Sequence, residues 1–181
     1  MHSRLTELFN YLDQEYADLL ATVAVAPKDR LDRHPAPGRW SIAQVLEHLV
    51  IVEQLATTMF VRLMDKAVAD GIPREPDTGP ILMAIDTRRI TDRSRRVKSP
   101  EAFLPPGKLG PDESLKALDE ARRQFKLAAA KGDGLALREV SSPHPWLGPL
   151  NAYEWIAFVA AHMARHTEQI REVSVQLKQD A

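Results

Sequence analysis

Apolar residues recur at three- and four-residue spacing along four long stretches of this chain, the pattern of helices that bury one face. Leu5, Leu8, Phe9, Leu12, Tyr16, Leu19, Leu20 and Val23 predict a first helix over residues 4–24, ended by Pro27. Trp40-Ser41-Ile42-Ala43-Gln44-Val45 then reads as a helix start, with Ser41 as N-cap, Gln44 completing a capping box, and Trp40 and Val45 placed as a hydrophobic staple. The second helix runs to about Asp70. It has two apolar stripes, one through Val45, His48, Ile51, Val52, Leu55 and Met59 and a neighbouring one through Ile42, Leu46, Leu49, Phe60 and Met64.

The chain then breaks twice. Gly71 to Pro80 is a Pro/Gly linker, and after it Ile81, Leu82, Ile85 and Ile90 mark a short, weakly patterned helical segment. A second break, SPEAFLPPGKLGP, precedes a helix through Leu115, Leu118, Ala121, Phe125 and Ala128, with Gly132 as its expected C-terminal cap. The loop SSPHPWLGPL leads into the closing helix, Asn151 to Leu177, where Asn151 and Glu154 repeat the capping box and Leu150 and Trp155 the staple. No alternating strand pattern stands out. Four long helices and one shorter, broken piece predict an all-α bundle, a single domain over residues 1–181.

The closing helix carries the oddity. Trp155, Val159, Ile170, Val173 and Leu177 share a stripe with His162 and His166, while Glu154, Arg165, Glu168, Arg171 and Glu172 take the other face. Two imidazoles at i and i+4 sit about 5 to 6 Å apart at Cβ, close enough to share one ion. His48 lies in the middle of the apolar stripe of the second helix, so three of six histidines face inward. Two readings stand side by side. Each is a core histidine satisfied by a carbonyl or carboxylate, or the three form a His₃ metal face with a position left open for water or substrate, as in catalytic zinc sites. Met163 occupies the place of the Glu in HExxH, which excludes that metalloprotease motif, and no histidine has a Glu three residues before it, which excludes a ferritin-like di-iron bundle. Gln44 and Gln169 lie near these histidines, but capping and backbone bonding account for them. His144 reads as a loop residue shaping the entry to the last helix.

Charge and composition narrow the classes. With 24 Lys and Arg against 25 Asp and Glu the net charge is -1, so no overall field draws the protein to nucleic acid or an anionic membrane. The cluster Arg88, Arg89, Arg93, Arg95, Arg96 and Lys98 reads as a solvated face, or as a patch for an anionic partner; it lacks interleaved aromatics for stacking bases. No cysteine is present, so any metal is held by nitrogen and oxygen. No apolar run approaches the ~18 residues of a membrane span, and a cytoplasmic location is expected.

The segments GRWSIAQVLEHLV and HPWLGPLNAYEWIAFVAAHMARHTEQI resemble the DinB-like superfamily, named for DNA-damage-inducible proteins, and the resemblance covers essentially the whole chain. It implies a four-helix bundle of up-down-down-up topology with a long crossover between the second and third long helices. It also implies a divalent metal, zinc or nickel, on the positions of His48, His162 and His166. Relatives that transfer low-molecular-weight thiols imply a metal-assisted attack by a thiol cosubstrate on a small electrophile. The alternative is a non-catalytic metal- or ligand-binding bundle that dimerises through the second stripe of helix 2. The residues themselves name neither the metal nor the reaction.

Overall fold

In the computed structural model, which describes residues 1–94 and 98–179, four long helices enclose the core: α1 (Ser3–Ala24), α2 (Ile42–Ala69), α4 (Pro111–Ala130) and α5 (Ala152–Gln179). A single turn, α3 (Arg88–Thr91), lies on the crossover between α2 and α4. Capping sets the helix starts. Ser41 Oγ accepts from the Gln44 N–H at 3.2 Å while Gln44 Oε1 accepts from the Ser41 N–H at 3.1 Å. The same box closes at α5, where Asn151 Oδ1 and Glu154 Oε2 exchange bonds of 3.0 and 2.8 Å with each other's backbone. Caps of this kind contribute about 1 kcal/mol each.

Ion pairs give the directions of the helices. Arg171 of α5 pairs with Asp18 of α1 at 2.5 Å, and Arg30, beyond the end of α1, reaches the carbonyl of Leu177 near the end of α5; α1 and α5 therefore run parallel. Lys131 after α4 meets Asp65 late in α2 at 2.9 Å, and Glu47 early in α2 meets the segment leading into α4, so α2 and α4 are parallel too. Val23 at the end of α1 packs in one cluster with Ile42 and Val45 at the start of α2. The order is up-down-down-up, and two parallel neighbours require the long crossover that the sequence contains.

The core has two apolar ends joined by a polar layer. One end gathers Leu5, Phe9, Phe60, Phe125 and Ile156, the other Leu19, Leu46, Leu118, Ile170 and Leu177. Between them on α2 and α4 lie Glu53 and Arg122, both buried and joined by bonds of 3.1 and 3.3 Å. Arg122 also donates to the carbonyl of Leu12 and lies 4.9 Å from the ring centre of Tyr16.

Three expectations are corrected. Ser141–His144 and Gly148–Asn151 form a small antiparallel hairpin, β1 and β2, paired from Ser141 with Asn151 to His144 with Gly148. Four-residue strands containing Pro143 and Pro149 are too short to show alternation, and Gly148 supplies the positive φ the turn needs. Gly132 is not a left-handed cap. A Cβ there would stand 2.5 Å from Met64 Sδ, so glycine is set by close packing against α2. The second stripe of α2, offered as a dimer surface, is consumed inside the bundle, with Ile42, Leu46, Phe60 and Met64 fully buried.

Candidate metal centre

The early part of α2 and the middle of α5 cross with their histidines facing each other. His48 and His166 are 4% and 7% exposed, and His162 is half-buried on the cavity side. Ring centres lie 4.5 Å apart for His162 and His166, 4.7 Å for His48 and His166 and 5.3 Å for His48 and His162. One nitrogen from each falls within 4.8 Å of the others.

Their outer nitrogens decide which ones are available. His48 Nδ1 lies 2.7 Å from the carbonyl oxygen of Phe103, and His166 Nδ1 lies 2.8 Å from Gln169 Oε1. Both partners are acceptors, so Nδ1 carries the proton and Nε2 keeps its lone pair on each ring. The Nε2 atoms of His162 and His166 are 3.2 Å apart, close to the about 3.3 Å between two nitrogens bound tetrahedrally at a metal–nitrogen length of about 2.0–2.1 Å. Metal-ligating histidines are held in this way by an acceptor on the far nitrogen. With two rings oriented in this way and a nitrogen of His162 beside them, the three imidazoles fit a divalent ion.

Burial holds all three rings neutral. Desolvation lowers the pKa of His48, against a raising bond from Phe103. It takes His162 and His166 well below the usual histidine range, with further lowering from the neighbouring imidazoles and Arg165. An unfolded chain binds protons on these rings from about pH 6.5 downward while the folded chain binds them only at lower pH, so stability is full above the unfolded pKa and falls as pH drops from there towards the folded pKa values. The metal-free protein is expected to lose melting temperature from pH 7 to pH 5 more steeply than His162→Gln, which lacks one of the titrating rings; parallel slopes in calorimetric scans would contradict the assignment.

Position of the His48 partner depends on a carboxylate that the sequence did not single out. Glu47, 2% exposed, accepts the backbone N–H groups of Gly107 at 2.6 Å, Lys108 at 2.9 Å and Leu109 at 3.1 Å, and so pins the end of the crossover beside α2. Four residues earlier that same segment presents the Phe103 carbonyl. Bonds to a charged acceptor contribute about 1.5–3 kcal/mol each. Glu47→Ala is expected to lower stability by about 2–4 kcal/mol in urea titrations and to weaken metal binding through the freed Phe103 segment, though none of the three histidines is changed.

Other predicted residues sort clearly. Gln44 is a capping residue. Gln169 is an orienting partner of His166 rather than a backbone-bonded edge residue, as its three-residue offset on α5 allows. His144 does shape the hairpin, its Nδ1 accepting the N–H groups of Trp146 and Leu147 at 3.2 Å each. It also lines the cavity, its ring centre 4.5 Å from that of Phe158, which a loop reading did not anticipate. Arg165 and Glu172 border the cavity too, on the flank of α5. In the basic cluster Arg88 pairs with Asp86, Arg93 forks onto Glu172, and Arg89 and Lys98 line the cavity. Arg95 and Arg96 lie outside the described residues.

Fold and site together define a four-helix bundle carrying a histidine triad with metal-ligand spacing in the lining of a cavity. The chain belongs to the DinB superfamily, whose family model matches residues 11–170. It is similar to the uncharacterized protein YuaE of Bacillus subtilis, 27% identical over 151 residues that cover 83% of this chain and 86% of that one. Among solved structures it is similar to TT2238, a four-helix bundle protein, with a TM-score of 0.61, 22% identity, and 93% and 98% of the two chains covered. It is also similar to YfiT of Bacillus subtilis, described as a probable metal-dependent hydrolase with an unusual four-helix bundle topology, with a TM-score of 0.61, 16% identity, and coverage of 96% and 87%. These likenesses carry the fold. No described helix is long and apolar enough to cross a membrane.

Proposed function

We propose that this protein is a divalent-metal-dependent enzyme of small-molecule chemistry, a transferase that joins a low-molecular-weight thiol to an electrophile, with His48, His162 and His166 holding the ion. The observation that carries the reading is the grouping of their nitrogens within 4.8 Å of one another in the lining of a cavity of about 800 Å³. Structural zinc sites are normally closed by four ligands, whereas three protein ligands leave room for a reactant. When bound, the ion supplies a Lewis acid that favours the deprotonated form of a thiol or water near neutral pH.

The chain's own residues do the rest. Phe103 O and Gln169 Oε1 hold two of the ligand rings in the correct tautomer. Neutral ligands leave the ion its full charge, which zinc or nickel could equally provide. In the transfer a carbon–sulfur bond forms as the bond to the leaving group breaks with its electron pair, and the thiol proton passes to solvent. The chain has no cysteine, so the thiol arrives as a cosubstrate.

Water in place of the thiol gives hydrolysis, a second reading favoured by the likeness to YfiT. A binding-only bundle is the third; as a homodimer it would need a face other than the buried stripe of α2. A location in the cytoplasm suits a thiol cosubstrate. The test is a rate measurement on zinc- or nickel-loaded protein, with a chloronitrobenzene and a panel of small thiols in one arm and a nitrophenyl ester in the other. Thiol-dependent turnover absent from the metal-free protein and from His162→Ala supports the transferase; ester turnover alone moves the assignment to hydrolysis. Neither rate above the metal-free control would leave only the binding reading.

A further inference from the structure

The walls of the cavity are apolar and its rim is cationic. All three tryptophans of the chain, Trp40, Trp146 and Trp155, line it together with Phe103 and Phe158. Leu55, Leu104 and Trp146, which are 44%, 45% and 51% exposed, bring further apolar surface to the same place. Apolar area concentrated at one concave site marks a place that a ligand or partner covers. A volume of about 800 Å³ lies in the range of small-molecule sites.

Charge selects among such ligands. Among the described residues Arg39, Arg89, Arg93, Lys98 and Arg165 line the cavity against one carboxylate, Glu172, although the whole chain carries a net charge of -1. Arg93 is neutralised by Glu172, through bonds of 3.1 and 2.5 Å. Arg165 donates to the carbonyls of Ile90 and Asp92. Arg39 lies in the field of Glu172 and Arg89 in that of Asp86, carboxylates already bonded to Arg93 and Arg88, so that neither these two nor Lys98 has a close ion pair of its own among the described residues; Arg89 and Lys98 are exposed. Low-dielectric walls beside such charges focus their field on the space between.

We propose that the ligand of this cavity is a small amphipathic anion, with an apolar body among the tryptophans and phenylalanines and an acidic group turned to Arg39, Arg89 and Lys98. This rests on the reading of the same cavity as the substrate site. It goes further, since it names recognition elements independent of the metal. A neutral or polar substrate of equal size would leave both the apolar walls and the cationic rim unmatched.

Phenylbutyrate and its uncharged counterpart phenylbutanol share one body and differ in charge. Their binding to metal-free and to zinc-loaded protein is read by calorimetry and by tryptophan fluorescence, every tryptophan being in the cavity wall. The acid is expected to bind at least about tenfold tighter than the alcohol, with or without zinc. The double variant Arg89→Glu, Lys98→Glu, with both changes at exposed positions, is expected to abolish that preference while the alcohol binds as before and the melting temperature holds. The proposal is overturned if the alcohol binds as tightly as the acid, if the double variant leaves the acid's affinity unchanged, if neither compound binds, or if the acid binds only with zinc, the carboxylate then acting as a metal ligand alone. Metal content is measured separately, so a protein that binds no metal but keeps the acid preference would refute the metal reading and leave this one standing.

Discussion

His166→Ala is expected to lose the metal, and Gln169→Leu to keep it with an affinity lower by about 10–100-fold, the effect typical of removing an outer partner from a metal-ligating histidine. The two differ because of what each side chain gives. His166 contributes the nitrogen itself, 3.2 Å from that of His162. Gln169 contributes only the acceptor at 2.8 Å that keeps the proton on Nδ1 and aims Nε2 inward. Without it the ring can turn or exchange tautomers, so binding is expected to weaken while all three histidines remain. Competition titrations with a chromophoric chelator measure both affinities. Equal loss in the two variants would mean that Gln169 is itself a ligand, and no loss in Gln169→Leu would remove it from the site.

Arg122→Met is expected to cost about 3–5 kcal/mol of stability, the range for breaking a buried ion pair by removing one partner. Burial already raises the Glu53 pKa, and Arg122 is the group that lowers it. In the single variant Glu53 keeps its burial, loses its counter-charge and takes up a proton. The Leu12 carbonyl loses a donor as well. Replacing both partners, Glu53→Met with Arg122→Met, is expected to recover most of the loss, because a desolvated pair returns little net energy over apolar residues of similar size. Urea denaturation of the four proteins in a double-mutant cycle gives the coupling. A single variant that costs less than about 1 kcal/mol would show the pair to be hydrated rather than buried.

Much of the bundle was legible because it rests on local rules. The helix spans followed from apolar spacing and two capping boxes, and the bounds of α1 and α2 differ from expectation by about one residue. His48, His162 and His166 were legible for the same reason: a polar ring on an apolar stripe points inward wherever the helix packs. What surrounds them was not legible. Phe103 O reaches His48 across 55 positions of sequence, carried by a Pro/Gly-rich crossover whose path has no periodicity. Glu47 looked like an ordinary helical glutamate, since nothing in its neighbours shows that three N–H groups 60 residues and more downstream will close on it. The hairpin around His144 was hidden by its length. Helix faces also proved coarser than a two-sided wheel: Arg165 and Glu172, assigned to the solvent face of α5, flank the cavity because the crossover folds over that side.

Metal stoichiometry after loading is the decisive measurement for the three-histidine site. Protein purified without chelators is exposed in turn to zinc, nickel and manganese, dialysed, and its content read by elemental analysis beside His48→Ala, His162→Ala and His166→Ala. The wild type is expected to retain about one divalent ion per chain, as a single three-histidine site would, and each variant to retain almost none while keeping its helical circular dichroism. A wild type that stays empty with all three metals, or a folded His162→Ala that holds as much as the wild type, would contradict it.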